Sequence, residues 1–161
     1  MEIAWRIVQA HVVDSAFTGE GAHRYGGRWN SKGYAVIYTS SSISLAILEV
    51  LVHIQIYDIL EEYVYIPVEF DQKLSLAWNL DDLPDNWNRD PSPQAAKQLG
   101  DFWVESRQSV ILEVPSAIVP TEKNYLINPA HPDFGKLKIG KPTKFGFDTR
   151  LLKSEHQGLL P

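Results

Sequence analysis

Residues 43–56, ISLAILEVLVHIQI, hold one charged side chain, Glu49, among positions that are mostly Ile, Leu, Val and Ala. Their spacing predicts a helix that is apolar nearly all the way round, and such a helix belongs in the middle of a fold. The serine run Ser40–Ser42 just before it can supply the N-cap. Burying a lone carboxylate costs several kcal/mol unless something pairs with it or neutralises it. His53, four residues on along the same helical face, is one structural partner, and a buried arginine is another. Arg28 and Tyr38 lie just upstream, so a loop, a strand and this helix could converge on one cleft around the acid.

The flanking segments alternate between strand-like and helix-like patterns. IAWRIVQ is a first strand that carries Arg6, YAVIYTS a second, and YVYIPVEF a third whose Pro67 places it at an edge or bulge. Between the first two, FTGEGAHRYGGRWNSKG has five glycines and no period, and reads as a loop system ending in a turn at Asn30–Gly33. NLDDLPDNWNRDPSP is a proline-broken loop, and PQAAKQLGDFWVES an amphipathic helix with Ala95, Leu99, Phe102 and Trp103 on one side. SVILEVPSAIVP contains a buried strand closed by Pro115, and the rest is loop-rich with a short strand near residue 137. Strands with two or three interspersed helices define an α+β class. The 161 residues, 44% hydrophobic, suit one domain over 1–152, with 153–161 expected to be a disordered tail or an appended remnant.

Charge and composition exclude several functions. The net charge is −5 and no stretch gathers a block of like charges, which disfavours a nucleic-acid or anionic-membrane surface. With no cysteine there is no disulfide, thiolate metal site or cysteine nucleophile, which fits a reducing cytoplasm. The N-terminus lacks a secretory pattern and no run is long enough to span a bilayer, so a soluble cytoplasmic protein is expected. The five histidines, His11, His23, His53, His131 and His156, lack metal-ligand spacing.

In YGGRWN, two glycines allow positive φ or a close approach to a ligand, and Arg28 behind them can offer a planar, permanently charged fork to a phosphate or carboxylate. A tight turn with a surface arginine is the plainer reading. The segment is neither a phosphate loop of the G-x-x-x-x-G-K-[ST] type nor a dinucleotide fingerprint.

RYGGRWNSKGYAVIYTS, SLAILEVLVH and VPSAIVPTEKNYLINPAHPDF, in that order, resemble the RES domain, the toxin half of bacterial toxin–antitoxin pairs, over about Arg6 to Arg150. The resemblance puts the family's arginine on Arg28, its glutamate on Glu49 and its serine on Ser116, with Ser109 as the competitor. It also puts Arg6 and Tyr38 in the same pocket. It implies an ADP-ribosyltransferase-like fold, a split β structure around a cleft that holds NAD as substrate, with no further cofactor and no metal. The implied reaction breaks the nicotinamide–ribose bond by hydrolysis or phosphorolysis, or transfers ADP-ribose to a protein. The chemistry suits the residues, because a carboxylate stabilises the ribosyl cation that forms as nicotinamide leaves, and arginines anchor the diphosphate. Ser116 would add a hydrogen bond to nicotinamide, phosphate or acceptor, and Tyr38 could stack on a ring. The implied partner is a cognate Xre-like helix-turn-helix antitoxin that covers the active site, with DNA met only through it and a homodimer within the complex. Two readings compete: a ribonuclease toxin, disfavoured by the acidic balance, and a silent binding module in which Arg28 and Glu49 pair with each other.

Overall fold

The structure is a computed structural model and describes residues 1–53 and 62–152. Its first strand, β1 (Glu2–Gln9), pairs along its whole length with β3 (Tyr63–Phe70), and on its other side meets the short β2 (Ile37–Ser40) at Trp5 and Ser40. Beyond β2 lie β6 (Lys123–Ile127), β5 (Ile111–Pro115) and β4 (Ser75–Ala77), and beyond β3 lie β7 (Lys138–Ile139) and β8 (Thr143–Phe145). Among the described residues these eight strands form one sheet, antiparallel throughout except for β4 beside β5. With three α-helices among the described residues, α1 (Glu20–Tyr25), α2 (Ile43–Leu51) and α3 (Gln94–Ser106), the class is α+β, as expected. None of the described helices is long and apolar enough to cross a membrane.

The central strands are buried on both faces, which is why β5 is apolar except for Glu113, whose buried carboxylate pairs with Lys123 at 2.7 Å. Ile111, Tyr125 and Ile127 pack with Ala4, Ile37, Val68 and Phe70 on one side. Leu112, Val114 and Leu126 pack with Trp29, Trp87 and Trp103 on the other, under α3. Tryptophan thus serves the core at three of its five positions.

Several expectations change in the folded chain. The apolar helix is not enclosed. α2 turns Leu45 and Ala46 inward against β1 and β2, but Leu48 is 40% and Val52 59% exposed, because the sheet covers only one side of it. Residues 54–56 of the predicted helix lie outside the described residues, as does the 153–161 tail. Ser42 caps α2 as expected, its Oγ accepting the Leu45 N–H at 3.1 Å.

Of the two expectations for Pro67, an edge or a bulge, the structure shows the bulge. β3 is an interior strand, and the interruption lies in its neighbour: β7 pairs with Val68–Glu69 and β8 with Tyr63–Tyr65, with the register slipping by one residue between them. The Pro67 carbonyl accepts the Gly140 N–H at 2.8 Å on that side, so the missing proline N–H faces the break.

α3 buries Ala96, Gly100 and Trp103, leaving Phe102 60% exposed and Ala95 facing water. A close approach sets this rotation: a Cβ on Gly100 would lie 1.7 Å from the Trp29 carbonyl oxygen, so only glycine fits. The glycine-rich loop contains the short helix α1, and the loop-rich C-terminal third contains β6, a strand that the residue pattern did not reveal.

Candidate active site

Between α2, the Gly26–Trp29 turn and the loop before α3 lies a cleft of about 850 Å³. Glu49 lines it from α2, one turn beyond Leu45 and Ala46 on the helix's inward face. Oε1 of Glu49 accepts two hydrogen bonds, from Ser116 Oγ at 2.8 Å and from Asn124 Nδ2 at 2.5 Å. Among the described residues Oε2 accepts none. His53 lines the cleft as well but makes no pair with Glu49, so the local helical partnership is replaced by partners from β5's end and β6.

Ser116 is fully buried and lies behind the carboxylate, off the cleft wall. Its hydroxyl is committed on both sides, since Oγ donates to Glu49 while accepting the backbone N–H groups of Ile118 and Val119, each at 3.1 Å. The expected direct bond from Ser116 to a ligand is therefore replaced by a bond to the acid. Ser109, the competing serine, sits in the core under α3, donating to the Ile111 carbonyl at 2.6 Å and accepting from Trp103 Nε1 at 3.0 Å.

Arg28 enters the same cleft from the glycine turn. Its Nη1 donates to the carbonyls of Trp87 at 3.1 Å and Arg89 at 2.8 Å, and Ser92 Oγ donates back to the Arg28 carbonyl at 2.7 Å. One nitrogen thus ties down the loop before α3, while Nε and Nη2 make no hydrogen bond among the described residues. Gly27 is required here because a Cβ would stand 2.4 Å from the Tyr38 hydroxyl. That hydroxyl donates to Asn30 Oδ1 at 2.6 Å and accepts the Trp29 N–H at 3.1 Å, which braces the turn. Burial holds the Tyr38 phenol well above its ordinary titration range. Its oxygen is fully engaged, so what Tyr38 offers the cleft is ring surface.

Arg6, on β1, also lines the cleft. Its Nη1 donates to the Tyr38 carbonyl at 2.8 Å, and its Nε is buried without a partner. Desolvation lowers its pKa from 12.5 to about 10, so it stays cationic at neutral pH. Neither Arg6, Arg28 nor Glu49 belongs to an ion pair among the described residues. The mutual pairing of Arg28 and Glu49 that a silent module would use is absent there.

Sequence reading missed Asn124 and Ser40. Ser40 Oγ donates to Asn124 Oδ1 at 2.8 Å, and the two residues are direct partners across β2 and β6. With β6 unrecognised as a strand, nothing placed Asn124 opposite Ser40.

The fold is α+β, with two guanidinium groups and one carboxylate facing a shared cleft. Within that class the chain belongs to the RES domain family, which it matches over residues 3–148. It is 45% identical over 148 residues to a protein named Toxin Res from Yersinia enterocolitica, covering 91% of this chain and 97% of that one. To the Toxin Res of Photorhabdus laumondii it is 37% identical over 95% of this chain and 99% of the other. A Sphingobium protein named Prs ADP-ribosylating toxin is 34% identical, over 92% of this chain and 96% of its own. In structure the chain resembles one from the crystal structure of the M. tuberculosis MbcT–MbcA toxin–antitoxin complex. The TM-score is 0.72 at 18% identity, over 90% of this chain and 84% of that one, a likeness of fold.

Proposed function

We propose that this chain is a toxin enzyme that cleaves the bond between nicotinamide and ribose in NAD, depleting the dinucleotide and arresting growth. The observation that carries the reading is Glu49: a carboxylate at the cleft wall with one oxygen held by two donors and the other unbonded among the described residues. As neutral nicotinamide departs, the ribose carbon gains positive charge, and a fixed anion at that point stabilises the transition state more than the ground state. Glu49 supplies that charge directly or grips a ribose hydroxyl. Arg6 and the free edge of Arg28 face the diphosphate, whose negative charge compensates guanidinium groups that lack acidic partners among the described residues. Tyr38 offers ring surface, and Ser116 acts through Glu49. Water or phosphate then takes the ribosyl carbon from the vacated side.

A second reading uses the same cleft: transfer of ADP-ribose to a protein side chain, favoured by the relative named as an ADP-ribosylating toxin. By analogy with the MbcT–MbcA complex, a cognate antitoxin, Xre-like by family expectation, covers the cleft and neutralises the toxin. Incubating the purified chain with NAD and resolving the products by mass spectrometry, with and without phosphate, separates hydrolysis, phosphorolysis and transfer. Replacing Glu49 by Gln keeps the shape and removes the charge, and should lower kcat by about 10²–10³-fold with the far-UV circular dichroism unchanged. A wild type that leaves NAD intact, or an E49Q variant as active as wild type, would overturn the proposal.

A further inference from the structure

We propose that Asn124, oriented by Ser40, is a positioning residue that fixes the Glu49 carboxylate in its working rotation. This deepens the reading of Glu49 as the anion of the reaction and rests on it. The amide of Asn124 has a donor end and an acceptor end, and at 2.5 Å from Glu49 Oε1 only the donor end is compatible with a carboxylate, which accepts and never donates when ionised. Ser40 makes that orientation the stable one by donating its hydroxyl to Oδ1 at 2.8 Å. The pair is held by the sheet itself, since Ser40 and Asn124 face each other across β2 and β6.

Ser116 reaches the same oxygen from the other side, with its own hydroxyl fixed by two backbone N–H groups. Both donors therefore converge on Oε1, which stops the carboxylate from turning and reserves Oε2 for whatever enters the cleft. Charge-assisted bonds of this kind are about twice as strong as neutral ones. Asn124 is the one with the shorter reach, and it alone is backed by a second side chain.

The test pairs kinetics with a signal that does not need turnover. Asn124→Leu is close in size and removes the donor without adding a charge. It should lower kcat for NAD consumption at least tenfold with KM within about threefold and the thermal midpoint within a few degrees, and Ser40→Ala should give a smaller loss of the same kind. A merely structural asparagine would instead lower the midpoint and leave kcat alone. Independently, in ¹⁵N-asparagine-labelled protein, the side-chain amide signals of Asn124 should shift in E49Q and in S40A while those of other asparagines hold. If the wild type does not consume NAD, the reading of the reaction fails and the amide spectra alone judge the positioning contact. Asn124 signals unmoved by E49Q, or an N124L enzyme with wild-type kcat, would overturn the proposal.

Discussion

On the proposed function, Arg6 serves the site at the expense of the fold. Among the described residues its guanidinium is held by one hydrogen bond to the Tyr38 carbonyl, with Nε buried and unpartnered and no ion pair. A buried cation of this kind contributes little to stability and is retained where a ligand supplies the counter-charge. Arg6→Met should therefore leave the unfolding free energy within about 1 kcal/mol of wild type, or raise it, while weakening NAD binding by about tenfold or more. Urea unfolding and isothermal titration against NAD with an E49Q background check the two halves. Tyr38 is the converse case. Burial raises its phenol above the ordinary value of 10.0, against the opposing pull of the Trp29 N–H that its oxygen accepts, so the native state keeps a proton that the unfolded chain releases above that value. The contribution is complete below that pH and is lost as pH rises beyond it. The stability gap between wild type and Tyr38→Phe should be flat up to about pH 10 and shrink above it, read from urea midpoints across the alkaline range.

At the level of elements, α3 explains why the glycine turn is rigid enough to aim Arg28. The helix lies directly on the Trp29 carbonyl at Gly100, and Asp101 Oδ1 accepts the Ser31 N–H at 2.8 Å, while Tyr34 donates to Glu105. Gly100→Ala drives a methyl group into backbone that cannot move aside and should destabilise by about 3 kcal/mol or more, whereas Phe102→Ser on the exposed side should change stability by less than about 0.5 kcal/mol. Thermal melts of the two variants measure this, and the Gly100 variant should also lose activity as the Arg28 turn shifts. The β3 strand teaches a related lesson. An interior proline is accommodated because its partner breaks into β7 and β8 opposite Pro67, with Gly140 passing so close that a Cβ would stand 2.6 Å from the proline ring.

For the molecule as a whole, the proposed activity predicts that expressing this chain alone arrests growth, that Glu49→Gln abolishes the arrest, and that co-expressing the cognate antitoxin restores growth. Viable counts after induction decide it, and unimpaired growth with abundant wild-type protein would contradict the proposal. Much of the site could be read before folding was considered: a lone acid in an apolar helix demands a partner whatever the topology, two glycines before an arginine demand a turn, and a serine before a helix caps it. Those are local rules of solvation and backbone geometry, and they picked out Glu49, the turn before Arg28 and the Ser40–Ser42 run. Which groups meet Glu49 is another matter. His53 was the nearest candidate in sequence, yet Ser116 and Asn124, 67 and 75 residues away, are the ones that reach it. The rotation of α3 and the interior position of β3 were equally beyond the local pattern, because a periodicity says that a face is apolar without saying what approaches it. The sequence by itself singled out the acid, and its resemblance to the RES domain added the arginines; the pairing of β2 with β6 decided how that acid is held, since strand register is a long-range choice that no short segment carries alone.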